Sequence, residues 1–191
     1  MLPRRSQVAS TVARAPSSAR LAAAEFVRGT TFGWGRRELA SWLVGHYSPC
    51  LVADAVVHPD GPRGSSAPLS ATSPHLDDES VERLILDARS SALRLLSDLS
   101  WPSQAAARAK CAIASGFVIA TRDPRGKRSW APVGRKRMRL AERVGSLFIA
   151  DALDNPHDYV NVSLCRSCGE LGFGAGAPAH EAGCTRARHV A

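Results

Sequence analysis

Two cysteines two residues apart, followed by a histidine and a third cysteine near the C-terminal end, constrain this chain more than anything else in it. Cys165-Arg166-Ser167-Cys168 is a tight knuckle that offers two thiolates to one ion; eleven residues separate it from His180, and three more separate His180 from Cys184. A His and a Cys at that spacing lie on one side of a helical turn, so the four side chains can close a tetrahedron around Zn²⁺. Four ligands fill the coordination sphere and point to a structural ion, because a catalytic zinc keeps one position open. His189 is an alternative to His180 as the fourth ligand.

Other uses of the cysteines fit less well. A redox dithiol would place the C-x-x-C at the start of a helix after a strand, but Gly169, Gly172, Gly174 and Gly176 follow it and oppose a long helix. A disulfide framework is a poor account of five cysteines, an odd number, and Cys50 and Cys111 read as lone thiols, Cys111 as a small buried hydrophobe in an Ala-rich helix. A nucleobase deaminase would need an upstream H-x-E, whereas His58-Pro59-Asp60 and His75-Leu76-Asp77 both lack the Glu. The ligand spacing resembles a Cys-Cys-His-Cys zinc finger or zinc knuckle and covers only the C-terminal tail. More loosely, a helical block followed by a strand and this knuckle is similar to small zinc-binding proteins of GC-rich bacteria. That resemblance implies no activity; it implies a folded region over about residues 73–185 and a dispensable N-terminal extension.

The fold expected is mainly α: three helices over residues 73–158, then a zinc-stabilised β-hairpin and tail over 159–191, after a disordered or loosely folded extension over 1–72. Residues 1–24 hold Arg4, Arg5, Arg14 and Arg20 among Ser and Ala with no acid, a composition shared by transit peptides and basic tails, and read here as a tail. Residues 39–57 are more apolar but of mixed period, suggesting a short helix and a strand, and the Pro, Gly and Ser of 58–74 read as a linker.

Ser73-Pro74 then opens the first helix of the block, with Asp77, Asp78 and Glu79 in its first turn. Val81, Leu84, Ile85, Ala88, Ala92, Leu95, Leu96 and Leu99 recur at steps of three and four, one apolar stripe. Trp101-Pro102 ends it, and a second helix is expected from Ser100 or Ser103 toward Val118, antiparallel to the first. Asp123-Pro124-Arg125-Gly126 is a turn by composition. A third helix is expected from about Arg135 to Leu153, with Met138, Ala141, Val144, Leu147 and Phe148 inward, ending at Asp154-Asn155-Pro156. Tyr159–Leu164 alternates as a strand, and Glu170–Phe173 returns with the ion at the hairpin tip.

The net charge of +8 is unevenly placed. Residues 73–121 are close to neutral, whereas over 122–143 nine Arg and Lys face only Asp123 and Glu142. Within that run Arg125, Lys127, Arg128, Arg135, Lys136, Arg137 and Arg139 are candidate phosphate contacts, and Trp130 is a candidate stacking platform for a base. DNA or RNA is the partner such a cluster suits; an acidic protein is the alternative. The chain carries neither a phosphate-binding P-loop nor a G-x-S-x-G elbow, and His157-Asp158-Tyr159 and His75 near Asp77 and Asp78 are common surface clusters, so no enzyme is indicated. No run of 18 or more apolar residues crosses a membrane, and the cysteine usage suits a reducing, cytoplasmic setting. The reading is a non-enzymatic zinc-binding protein acting as a nucleic-acid-binding regulator, with a zinc-stabilised protein-interaction module as the alternative.

Overall fold

A computed structural model describes residues 17–46, 78–122, 126–133 and 138–174, together with His180 and Cys184. The architecture is mainly helical with two small antiparallel strand pairs. In order the elements are α1 (Ser18–Thr31), α2 (Arg36–His46), α3 (Asp78–Leu99), α4 (Pro102–Ala114), β1 (Val118–Arg122), β2 (Arg128–Pro132), α5 (Leu140–Asp154), a 3₁₀ turn (Pro156–Tyr159), β3 (Val162–Leu164) and β4 (Leu171–Phe173).

The first helix corrects the expectation of a loose extension up to residue 72. Ser17 caps α1, its hydroxyl accepting the Arg20 N–H at 3.1 Å, and Ala23, Phe26, Val27 and Thr30 fall at steps of three and four on a buried face. Gly33, at φ 74°, ends the helix in the left-handed conformation that side chains avoid. Gly29 has a different reason: the Trp34 ring lies where a Cβ would stand, 1.8 Å from its ideal position. Phe26, Trp34 and Trp42 form one aromatic cluster, and Trp42 Nε1 donates to Ala22 O at 2.9 Å, fastening α2 to α1. Of the expected apolar segment 39–57, Leu39, Trp42 and Leu43 are buried on α2 and Val44 is exposed; residues 47–57, like Ser73 and Pro74, lie outside the described residues.

All eight stripe residues of α3 are buried, as their periodicity predicts. The second helix stops at Ala114 instead of continuing toward Val118. Gly116 adopts φ 66°, its N–H donates to Ile113 O at 2.9 Å, and Phe117 N–H reaches back to Ala112 O at 2.8 Å, a Schellman stop that a β-branched run then leaves as a strand. On α4 only Ala112 is buried, and Cys111 is exposed rather than a core residue, because this helix lies on the outside of the bundle. The basic run begins with a hairpin the periodicity did not announce: β1 pairs with β2 from Val118 opposite Pro132 to Arg122 opposite Arg128.

Helix α5 starts at Leu140, not near Arg135, because Glu142 accepts the Arg139 backbone N–H at 2.8 Å and closes the N-terminus there. It is the centre of the fold, with eleven of its fifteen residues buried between α1, α3 and the β1–β2 hairpin. Met138, Val144, Leu147 and Phe148 are inward as expected. At its far end Asp154 accepts from Ser129 Oγ at 2.6 Å and from the Trp130 N–H at 3.2 Å, holding β2. Among the described residues no helix is long and apolar enough to cross a membrane.

Candidate metal centre

The C-terminal hairpin pairs Val162 with Phe173, Ser163 with Gly172 and Leu164 with Leu171. Beyond Leu164 the ladder closes into a knuckle: Cys165 N–H donates to Glu170 O at 2.9 Å and Gly169 N–H to Cys165 O at 2.8 Å. Tyr159, expected at the start of the strand, belongs instead to the 3₁₀ turn that Pro156 initiates. The knuckle brings Cys165 and Cys168 to one side, both buried, and His180 and Cys184 meet them there, half-buried. One ligand atom from each of the four residues lies within 4.8 Å of all the others.

A tetrahedral zinc with Zn–S of about 2.3 Å and Zn–N of about 2.0 Å needs its ligand atoms roughly 3.5–3.8 Å apart. The separation of Cys168 Sγ from His180 Nδ1 is 3.6 Å, already at that value. The donor set therefore fits a closed Cys₃His site, in which Nδ1 is the His180 atom placed to coordinate. Cys165 Sγ donates to the His180 carbonyl oxygen at 2.6 Å, a contact open only to the protonated thiol, which a bound metal would exchange for a sulfur–metal bond. Burial, and then the neighbouring Cys165 and Cys184 sulfurs, push the Cys168 thiol up to about 11, against the opposing pull of a backbone hydrogen bond at Glu170. Without a cation the Cys168 thiol is held neutral, and a divalent ion bound there would invert that preference.

Among the described residues, none of Cys111, Cys165, Cys168 and Cys184 is joined in a disulfide. The C-x-x-C sits in a hairpin knuckle, not at the head of a helix, which removes the helix-terminus arrangement that activates a redox dithiol. His189 lies outside the described residues.

Two contacts dock this hairpin on the rest of the molecule, and neither is visible in the ligand spacing. Gly169, at φ 68°, presses on the last turn of α1: an added Cβ would stand 2.4 Å from Thr31 Oγ1 and 3.0 Å from Arg28 Cα. At the other end of α1, the buried Arg20 guanidinium donates from Nε to Asp151 at 2.6 Å and from Nη2 to Asp158 at 2.5 Å. It also lies 4.8 Å from the Phe173 ring centroid and 5.8 Å from that of Tyr159. Tyr159 OH donates to Asp151 Oδ2 at 2.9 Å and Asn155 Nδ2 to Asp151 Oδ1 at 2.8 Å, so both oxygens of this fully buried carboxylate are engaged. Burial works against the Arg20 charge, but its hydrogen bonds to Asp158 and Asp151 outweigh it and hold the guanidinium charged. Burial, together with Asp151, likewise keeps Tyr159 protonated far above its usual range.

The candidate nucleic-acid residues are only partly brought together. Lys127 and Arg128 are exposed on the β1–β2 hairpin, and the Arg128 guanidinium covers the half-buried Trp130 ring at 4.7 Å from its centroid. One face of that ring is therefore already stacked within the chain. Arg139 lies away from that hairpin, paired with Glu142 at the start of α5, with Nη2 at 2.8 Å and Nε at 3.1 Å from the carboxylate. Arg143, part of the same basic run, is completely buried on α5 and presents nothing to a phosphate. Arg125, Arg135, Lys136 and Arg137 lie outside the described residues. No protein-family model, curated protein or solved structure matches the chain, so the zinc-finger resemblance rests on the four ligands alone.

Proposed function

We propose that this is a non-enzymatic zinc protein in which the ion is structural, bound by Cys165, Cys168, His180 and Cys184. The convergence of those four ligand atoms within 4.8 Å carries the reading. Three sulfurs and one imidazole select a borderline-soft ion over Mg²⁺ or Ca²⁺, and a complete ligand set leaves no position for substrate or activated water. Metal analysis of the purified chain, paired with Cys165→Ser and Cys184→Ser, tests it. One equivalent of zinc in the parent and its loss from both variants is the expected result; a metal-free parent that keeps its fold would reject it.

For the role of the whole chain, we favour contact with a nucleic-acid backbone through the β1–β2 hairpin. Arg122 stands directly opposite Arg128 in the strand register, with Lys127 beside them. Like charges paired across strands cost stability, and a line of phosphates relieves that cost. Binding to duplex DNA and to RNA, measured at low and at moderate salt, is the test. Retention that falls steeply with salt supports the reading, and no binding at low salt rejects it in favour of an acidic protein partner.

A further inference from the structure

The geometry points to a second ligand site: a cleft between α3, α4 and the N-terminal end of α5 that takes a phosphate monoester bearing an apolar group. Its volume of about 330 Å³ lies in the range of small-molecule pockets. Three arginines line it: Arg94 on α3, Arg108 on α4 and Arg139 at the N-cap of α5.

Two of the three are braced. Arg108 is held by Asp98 through Nε at 2.9 Å and Nη2 at 2.6 Å, and Arg139 is held by Glu142. The bracing fixes the direction of each planar fork before a ligand arrives, which lowers the ordering cost of binding. Arg94 is exposed and makes no ion pair among the described residues. It is the guanidinium left to close on an incoming anion. Asp98 balances Arg108 and Glu142 balances Arg139, so among the described residues the cleft keeps a surplus of one positive charge, that of Arg94. Guanidinium donors from three directions suit the three terminal oxygens of a phosphate monoester better than the two of a single carboxylate. The cleft also has apolar lining, from Leu95 of α3, Ile149 of α5 and Phe117 in the turn between α4 and β1, together with Ser91 and Ser115. Charged groups beside an apolar lining are the pattern of a site that takes an anion with a hydrophobic body, rather than of a solvated salt-bridge network.

Cys111 lines the same cleft and is an exposed free thiol, which makes it a reporter of occupancy. The test uses the full zinc-loaded chain and phenyl phosphate as probe, with phenol and inorganic phosphate as half-probes, following alkylation of Cys111 by neutral iodoacetamide. Phenyl phosphate at millimolar concentration is expected to slow that alkylation severalfold, and phenol to leave it unchanged. Arg94→Ala, which breaks no ion pair and so keeps the unfolding midpoint, should weaken protection about tenfold, the worth of one charge-assisted hydrogen bond. A 5′-phosphorylated oligonucleotide against its unphosphorylated twin distinguishes a free phosphate ester from a nucleic-acid end as the source. Absence of protection by both phenyl phosphate and the phosphorylated oligonucleotide overturns the proposal, and so does equal protection of the parent and Arg94→Ala. Neither result bears on the metal centre.

Discussion

Replacing Gly169 by alanine tests whether the metal knuckle is held from outside as well as by its ion. Two costs can be worked out separately. Gly169 sits at φ 68°, and an L-residue in that region costs about 1–2 kcal/mol. The added Cβ would also stand 2.4 Å from Thr31 Oγ1 and 3.0 Å from Arg28 Cα; the first neighbour can rotate, but the second is helix backbone and cannot move alone. Relieving such an overlap by shifting the hairpin costs roughly 1–3 kcal/mol more. Gly33 supplies the comparison, because it has φ 74° with nothing within 4 Å of its ideal Cβ. Gly33→Ala should therefore cost only the backbone share, about 1–2 kcal/mol, and Gly169→Ala about 2–5 kcal/mol in all. Urea unfolding of both zinc-loaded variants gives the difference, and chelator competition shows whether Gly169→Ala also weakens zinc binding by at least about tenfold, as 1.4 kcal/mol would require. Equal costs for the two glycines, with unchanged zinc affinity, would refute the claim that α1 braces the knuckle.

Three further outcomes follow from the same contacts. Asp151→Asn removes the charge that pairs with buried Arg20 and is expected to cost about 3–5 kcal/mol in urea unfolding; Tyr159→Phe, which removes one donor at 2.9 Å, should cost only about 1–2 kcal/mol. Zinc affinity should fall as pH drops below neutrality, by up to about a thousandfold per unit, because three thiols must release protons to bind, and chelator titrations at two pH values measure the slope. Finally, deletion of residues 1–72 should destabilise the remainder, seen as a lower midpoint by circular dichroism, because it removes the buried face of α1 together with Arg20; an unchanged midpoint would restore the dispensable extension.

Which parts were legible in the sequence follows from how local their causes are. The α3 stripe, the Pro156 stop and the β3–β4 pairing depend on neighbours a few residues away, and each was readable from spacing or turn chemistry. The clustering of the four candidate ligands was readable for the same reason, since Cys165 and Cys168 share one knuckle and His180 and Cys184 lie close by in sequence. Helix α1 was missed although Ala23, Phe26, Val27 and Thr30 carry the period, because the flanking Arg, Ser and Ala diluted the average over residues 1–24. Its signature was a Ser at position 17 ahead of that stripe and a Gly at 33 after it. Arg20 could not be assigned from spacing at all: its partners Asp151 and Asp158 are 131 and 138 residues away, and an arginine in a basic stretch looks the same whether it will be solvated or buried. The basic run shows the converse. Nine positive charges in one stretch read as one surface, yet the fold buries Arg143, pairs Arg139 and stacks Arg128.

The tail poses a question of dominance, since β3 and β4 have three residues each and few bulky side chains. Isolated two-stranded hairpins are marginal in water, so something else holds this one. The Arg20 cluster and the Gly169 contact each amount to a few kcal/mol, whereas a Cys₃His zinc contributes about 10–16 kcal/mol of apparent binding energy at neutral pH. A zinc ion bound as proposed would outweigh the docking contacts, and the order of events on chelation follows. The knuckle should lose its shape first; α3 and α5, buried against each other through Leu95 and Gly145 and carrying no ligand, should remain. Helix α1 lies between these fates, because it packs on α5 but touches the hairpin at Arg20 and at Arg28 and Thr31. Hydrogen exchange after zinc removal separates them: amides of the hairpin should exchange fastest, those of α1 at an intermediate rate and those of α5 slowest. Uniform loss of protection across all three would mean that the ion holds the whole fold and not the tail alone.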